Sequence, residues 1–336
     1  MPAARSLRAP QPIDLDNVSD LDRANDLRAG LHLVPDAHAP APFLKWVGGK
    51  GRLLRQLDAL IPQGRLRYGE PFLGGGAVFF HLRAQGRLER AVLCDYSRDI
   101  VGACEALRDD PDTLLALLRA HETTYLAADA DGRAAYFQAV RERHPVDLTG
   151  DQAMTTPERA ARMLFLNRTC FNGLWRENSR GRFNVPHGRY PNPGIVQEDK
   201  LRAAAKALRH AEILQADFRR LPELAAQHRL DFVYLDPPYH PVSATSSFNA
   251  YSGGTFPASA QADLAGVCRK LDAMGVRWLL SNSDCGLIRD LYADFAIHPI
   301  LAPRSVNCKG DKRGDVAEVA VCNYDVAAAV PVRRMA

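Results

Sequence analysis

The chain has 336 residues, 46% of them hydrophobic, and a formal net charge of +4. That length allows one large domain or a core domain carrying an insertion, and so mild a charge does not by itself imply a nucleic-acid partner. No run approaches the roughly eighteen apolar residues of a membrane span, and Met1-Pro-Ala-Ala-Arg-Ser6 lacks the apolar stretch of a secretory leader. The seven cysteines are scattered, with no C-x-x-C pair, so a zinc site or disulfide framework is disfavoured and a reducing cytoplasm favoured.

Residues 1–40 mix acids, arginines and alanines before a Pro- and Ala-rich close, which predicts a poorly ordered tail with at most a short helix near Leu21–Leu27. From Phe43 the character changes. The Gly-rich segment Trp46-Val-Gly-Gly-Lys-Gly51 leads into an amphipathic helix around Leu53–Leu60, followed by a strand-to-helix junction at 68–82, a strand at 91–95 and a helix at 97–108. Residues 111 to about 166 carry Leu, Ala and charged residues at helical spacing, and a second helix is predicted at about 199–208. Between them, from Arg162 to Tyr190, six arginines face one acid, Glu177, a local balance of +5 that exceeds the charge of the whole chain. Arginine without lysine favours bidentate contacts to phosphate or guanine edges. Strands resume near Ala211–Leu214, Phe232–Leu235, Arg277–Ser281 and Glu318–Cys322. The alternation predicts an open α/β sheet built from 41–110 and 209–328 and interrupted by a mainly helical inserted domain, 111–208.

Tyr68-Gly-Glu-Pro-Phe-Leu-Gly-Gly-Gly-Ala-Val-Phe79 reads as a strand end, a glycine turn and a helix start. Gly74 and Gly76 fit the first two positions of a dinucleotide fingerprint, but Phe79 occupies the third, which disfavours a pyrophosphate. About twenty residues on, the strand Ala91-Val-Leu-Cys-Asp95 ends in an acid, where such folds hold ribose hydroxyls. A nucleoside cofactor without a pyrophosphate fits both, and S-adenosylmethionine is one. Gly48-Gly-Lys50 does not make a phosphate loop, because Gly51 stands where Ser or Thr is required.

The most informative segment is Asp231-Phe-Val-Tyr-Leu-Asp-Pro-Pro-Tyr239. An apolar strand ends in an acid, two prolines and a ring, and each proline fixes its own φ and drives the preceding residue out of the helical region. The stiff exit sets the Asp236 carboxylate, the Pro237 carbonyl and the Tyr239 ring side by side. Two acceptors beside a stacking surface suit an exocyclic amino group on a planar base.

Phe43-Leu-Lys-Trp-Val-Gly-Gly-Lys50, Glu70-Pro-Phe-Leu-Gly-Gly-Gly76, Asn172-Gly-Leu-Trp-Arg176, Gly181-Arg-Phe-Asn-Val-Pro-His-Gly188 and Asp236-Pro-Pro-Tyr239 follow one another in the order seen in Dam-like DNA adenine N6-methyltransferases, and over about residues 43–325 the chain resembles that family. The resemblance implies a Rossmann-like, S-adenosylmethionine-dependent methyltransferase sheet with an inserted, mainly helical DNA-recognition domain. It implies a cofactor pocket lined by Trp46, Lys50, Phe72, Gly74, Gly76, Asp95, Asp217 and Asp236, and catalysis by Asp236, Pro237, Pro238 and Tyr239 on a flipped adenine. Duplex DNA would be bound by Phe171, Asn172, Leu174, Arg176, Arg180, Asn184, Pro186 and Arg189, with a GATC preference read by Leu174, Arg176 and Pro186, and with the loop Arg304–Lys312 on the DNA backbone. No metal is implied, nor a membrane, and the expected form is a monomer in the cytoplasm, associated with the nucleoid. Trp175 and Glu177 beside Arg176, and His187 after Pro186, depart from the family pattern. A cytosine-N4, RNA or protein-amide methyltransferase and a catalytically silent DNA binder are the alternatives. Asp236 argues against the cytosine enzyme, which often carries Ser there, and against the amide enzyme, which uses Asn.

Overall fold

The computed structural model describes residues 39–241, 256–302 and 316–326. The expected helix at Leu21–Leu27 and the loop Arg304–Lys312 lie outside them. The apolar runs form β1 (Leu66–Glu70), β2 (Leu88–Asp95), β3 (Ala211–Gln215), β4 (Phe232–Leu235), β5 (Arg277–Ser283), β6 (Ala296–Ala302) and β7 (Val316–Cys322). They join in one sheet of order β3-β2-β1-β4-β5-β7-β6. The first five strands of that order are parallel, while β7 runs antiparallel to both β5 and β6. This is the mixed, mostly parallel sheet of a Rossmann-like α/β fold.

The central strands read as continuous apolar runs because both of their faces are covered. Alternation along each strand sorts the residues between two cores. Leu93, Phe232, Tyr234, Leu279 and Ala320 point into one, and Val92, Val233, Leu235, Leu280 and Val319 into the other. The first face is covered by α1 (Leu54–Leu60), α2 (Ala77–Ala84), α3 (Arg98–Asp109) and α7 (Glu198–Leu208), the second by α8 (Leu221–His228), α9 (Ala258–Ala273) and α10 (Gly286–Leu291). Between α3 and α7 the chain runs through α4 (Pro111–Ala127), α5 (Ala130–Glu142) and α6 (Thr156–Thr169). Each starts where the sequence supplies a cap. Asp110 accepts from Thr113 N ahead of Pro111, Asp129 accepts from Gly132 N, and Thr155 forms a reciprocal box with Glu158. Leu114, Leu118, Tyr125, Phe137 and Phe165 carry the first core outward into these helices.

Within the described residues the predicted strands and helices are present, with ends moved by a few residues. The addition is β6. Pro299 breaks its sequence pattern, and a proline argues against a central strand. Here it pairs opposite Val319 at the sheet edge, where hydrogen bonds are needed on one side only.

Sheet order reverses between β1 and β4. Connections leave the two strands in opposite directions there, opening a crevice above their carboxyl ends. Glu70, Asp95 and Asp236 all stand at that end, closing or following β1, β2 and β4.

Candidate active site

The segment after β4 is held around Lys50. The Lys50 ammonium lies 2.7 Å from Asp236 Oδ1, donates to the Gly48 carbonyl at 2.7 Å and sits 4.8 Å from the Tyr239 ring centroid. The Lys50 side chain is almost fully buried, and the Asp236 side chain is 20% exposed. Burial pushes Asp236 above the ordinary carboxylate range, and the adjacent ammonium pulls it back. The Tyr239 hydroxyl donates to Glu318 Oε2 at 2.8 Å, which fixes the ring in its plane. Burial raises Glu318 too, again opposed by Lys50. The arrangement offers a carboxyl group paired with a cation, beside an aromatic face. It can accept hydrogen bonds from an amino group on a planar ring.

The glycine turn lies beside it. Gly74 and Gly76 have φ of +48° and +67°, in the left-handed region open to glycine. A Cβ on Gly74 would stand 2.8 Å from the Trp46 indole, so the ring packs directly on the turn backbone. Asp95 locks the turn, accepting from Gly74 N and Ser97 N at 2.9 Å each. Burial raises the Asp95 carboxyl to about 6 against these two bonds. Each carboxylate oxygen keeps a further lone pair, so Asp95 can still take a ligand hydroxyl. Phe72 packs against Phe218 and Phe256 at 5.5 and 5.9 Å, a ring cluster at the same mouth. Asp217 stands next to Phe218 but caps the backbone of Arg219 and pairs with its guanidinium at 3.0 Å. Carboxylates, glycine backbone and rings are the donor set that a cationic nucleoside such as S-adenosylmethionine requires, and the residues fit it.

Four residues join the site that sequence reading left out. Tyr96, directly after Asp95, exposes 79% of its surface at the strand end. Its signal was an aromatic next to a strand-end acid. Glu318 was legible as the one acid in an apolar strand. Lys45 packs its stem within 2.5 Å of a Cβ placed on Gly173 and carries its ammonium 5.4 Å from the Tyr190 ring centroid, which puts it beside the segment that carries Asn172 and Arg176. The fourth, Glu70, is buried under the turn, and its Oε2 accepts from Tyr68 at 2.8 Å. Burial lifts Glu70 to about 8, with Asp236 and Asp95 adding to the rise against the Tyr68 and Phe79 bonds. The folded chain therefore holds a proton there that the unfolded chain has lost. Stability should fall as pH rises from the ordinary carboxylate range through about 8. Glu70→Gln should flatten this slope, so that its melting temperature gains on wild type steadily between about pH 5 and pH 9.

The segment from Cys170 to Gly188 is a short irregular hairpin. Glu177 pairs across to Phe183 and Cys170 to His187, with Asn184 N donating to the Arg176 carbonyl at 2.9 Å. The sequence departures form its interior. Trp175 packs on Phe183 at 4.7 Å and donates to Glu177 at 3.1 Å, while His187 meets the Tyr125 hydroxyl at 2.7 Å and the Phe137 ring at 5.0 Å. Phe171 is 50% exposed, and Asn172 turns the chain with a φ of +55° while its N–H donates to Tyr190. Leu174 and Asn184 are half-buried, while Arg180, Pro186 and Arg189 are exposed. Arg176 Nε donates to Asn184 Oδ1 at 2.7 Å. Not all six arginines form a surface. Arg162 and Arg168 are buried, donating to the carbonyls of Val140, Arg141 and Phe43, and Arg182 pairs with Asp147 at 2.6 Å. Asn167 ties the hairpin to the cofactor segment. It accepts from Lys45 N at 2.8 Å and donates to the Lys45 and Gly173 carbonyls at 2.8 and 3.0 Å.

Among the described residues, no group of three His, Cys, Asp or Glu side chains is arranged to hold a metal ion, and no helix is long and apolar enough to cross a membrane. Residues 46–306 match the model of the D12 class N6 adenine-specific DNA methyltransferases. The chain is 38% identical to the type II methyltransferase M.MjaIII of Methanocaldococcus jannaschii, over 84% of its own length and 99% of that protein. It is 31% identical to the DNA adenine methylase of Haemophilus influenzae, over 83% of its length and 92% of that protein. It is 35% identical to the DNA N-6-adenine-methyltransferase of Escherichia phage P1, covering 85% of this chain and 36% of that one. With its sheet order, its strand-end acids and its Asp-Pro-Pro-Tyr segment, the chain belongs to the D12 class of N6 adenine-specific DNA methyltransferases, enzymes that act on adenine in DNA.

Proposed function

We propose that this enzyme moves a methyl group from S-adenosylmethionine to N6 of an adenine extruded from duplex DNA, within GATC. The observation that carries this reading is the cluster of Lys50, Asp236 and Tyr239 beside the glycine turn. When bound, the cofactor supplies an electrophilic methyl carbon on a sulfonium. Every other contribution comes from the chain. Asp236 and the Pro237 carbonyl accept hydrogen bonds from the two N6 hydrogens, which turns electron density onto N6 and aims its lone pair. The proton that N6 gives up on methylation leaves by way of the Asp236 carboxylate to solvent. Pro237 and Pro238 keep that loop stiff. Tyr239 stacks on the extruded ring and offsets part of the few kcal/mol that unstacking costs, since base–aromatic stacking contributes about 1–3 kcal/mol.

The cofactor pocket is Trp46, Lys50, Phe72, Gly74, Gly76, Asp95, Asp217 and Asp236. Both Asp217 oxygens already accept from Arg219, so Asp217 reaches a ligand only with a lone pair those contacts leave over. Residues 111–208 form the target-recognition insertion, which holds duplex DNA through Phe171, Asn172, Leu174, Arg176, Arg180, Asn184, Pro186 and Arg189. The half-exposed Phe171 ring is suited to wedge into the gap beside the extruded base. The test is transfer of labelled methyl to duplexes containing GATC, GATG or no site, with N6-methyladenine identified by mass spectrometry. Label on adenine in GATC alone is the expected result. Label on other adenines would discard the recognition code, and an unlabelled duplex with cofactor bound would discard the activity.

A further inference from the structure

A loop that begins Asp-Pro-Pro has no backbone donor between Asp236 and Tyr239, because proline carries no N–H. The sheet ladder cannot hold it in place, and its carbonyls have to be fixed from outside. Two buried amides do this. Gln261, in the first turn of α9, and Asn282, near the end of β5, are both wholly buried and far from the loop in sequence. Gln261 Nε2 donates to the Pro238 carbonyl at 3.0 Å, and its Oε1 accepts from Asn282 Nδ2 at 3.1 Å. Asn282 Oδ1 accepts in turn from His240 N at 3.2 Å and from Ser283 N at 2.9 Å, and the Ser283 hydroxyl donates to the His240 carbonyl at 2.6 Å. The backbone is therefore gripped on both sides of Tyr239.

An amide placed among Leu264, Ala265 and Cys268 is costly unless its donors and acceptors are used, and here the donor reaches the loop and the acceptor is taken by Asn282. Successive carbonyls of an extended chain point to opposite sides. Fixing the Pro238 carbonyl onto α9 turns the Pro237 carbonyl away from it, and among the described residues none donates to Pro237 O.

We infer that Gln261 and Asn282 are positioning residues for methyl transfer, a buried amide relay that sets the Pro237 carbonyl and the Tyr239 ring for the target amine. The inference rests on the reading above, in which that carbonyl and ring receive an adenine. Both amides are wholly buried and reach the site only through the loop they hold, so the relay acts by orienting that loop.

The experiment measures kcat, KM for a cognate duplex and cofactor affinity in wild type, Gln261→Met, Gln261→Glu and Asn282→Asp, across pH. Gln261→Met keeps the length but loses the donor. Its kcat should drop roughly 10- to 100-fold, less than the roughly 100- to 1,000-fold seen when a donor that touches the reacting atoms is removed, with KM and cofactor affinity within about twofold of wild type. Asn282→Asp keeps the two acceptor contacts and loses the donation to Gln261, so it should fall between the two. Gln261→Glu can donate to the Pro238 carbonyl only while protonated. Its kcat should approach wild type at low pH and fall as pH rises, a limb that the wild type lacks. Wild-type kcat in Gln261→Met would overturn the relay, as would a Gln261→Glu profile parallel to that of Gln261→Met. A wild-type enzyme that methylates no adenine would instead overturn the underlying activity, so the two failures are distinguishable.

Discussion

Asp236→Ala should lower kcat by at least about a thousandfold while leaving the affinity for duplex DNA within a few-fold of wild type. The asymmetry follows from where the carboxylate lies. It is at the end of β4 facing Lys50, whereas the hairpin and its exposed arginines lie between α6 and α7. The substitution also leaves the Lys50 ammonium without its nearest anion. Losing one partner of a fully buried pair costs about 3–5 kcal/mol, but Asp236 is 20% exposed and Glu318 lies within electrostatic reach of the same ammonium, so the loss of stability should be smaller. Asp236→Asn separates the two effects. It keeps the shape and one acceptor oxygen and should fold like wild type, yet remain well below it in rate, because a neutral amide polarises N6 less than a carboxylate. A companion variant, Lys50→Met, should move the acid limb of the pH–rate profile upward, since the ammonium is what opposes the burial-driven rise at Asp236. Near-normal turnover in Asp236→Ala would remove the carboxylate from the mechanism.

What the sequence made legible is local. The Asp-Pro-Pro-Tyr exit, the glycine turn and the acid ending β2 each announce themselves within a dozen residues, because backbone restriction and strand termination are short-range effects. The pairs that make them a site are not local. Lys50 meets Asp236, Tyr239 meets Glu318 and Gln261 meets Pro238 only through the sheet order, and no spacing rule gives that order. The arginine count misled in a similar way. Arg162 and Arg168 look like surface charge in a row of letters, but they lie on the buried side of α6, where their forks tie backbone carbonyls of two other segments. Burial lowers the charged form of both, and hydrogen bonding to carbonyls is what makes it tolerable. Strand β6 was hidden by Pro299 for the opposite reason. A proline is disfavoured within a central strand, but β6 is the sheet edge, where Pro299 needs no donor on its open side.

Arg176→Ala should collapse discrimination at one base pair and leave the remainder of the reaction standing. Its guanidinium is held by Asn184, with Nε on Oδ1 at 2.7 Å and a longer contact from one terminal nitrogen to the Asn184 carbonyl at 3.4 Å. Trp175 against Phe183 keeps the hairpin strands in register beneath it. Such a fork is oriented before DNA arrives, so less rotamer entropy is lost on contact. An arginine bidentate to guanine O6 and N7 discriminates by about 1–3 kcal/mol, or roughly 5- to 150-fold in kcat/KM between GATC and a site altered at the base it reads. In Arg176→Ala that ratio should approach one through loss on the cognate site, with little change on the altered one. Arg176→Lys should not restore it, because a point charge lacks the two parallel donors. Asn184→Ala should give an intermediate ratio, since the fork survives but is no longer held. A phosphate contact would behave otherwise. It would weaken all duplexes alike and reduce the slope of log affinity against log salt by about one. Uniform loss with a shallower salt slope would therefore reassign Arg176 to the DNA backbone and leave the reading of that base pair to Leu174 and Pro186.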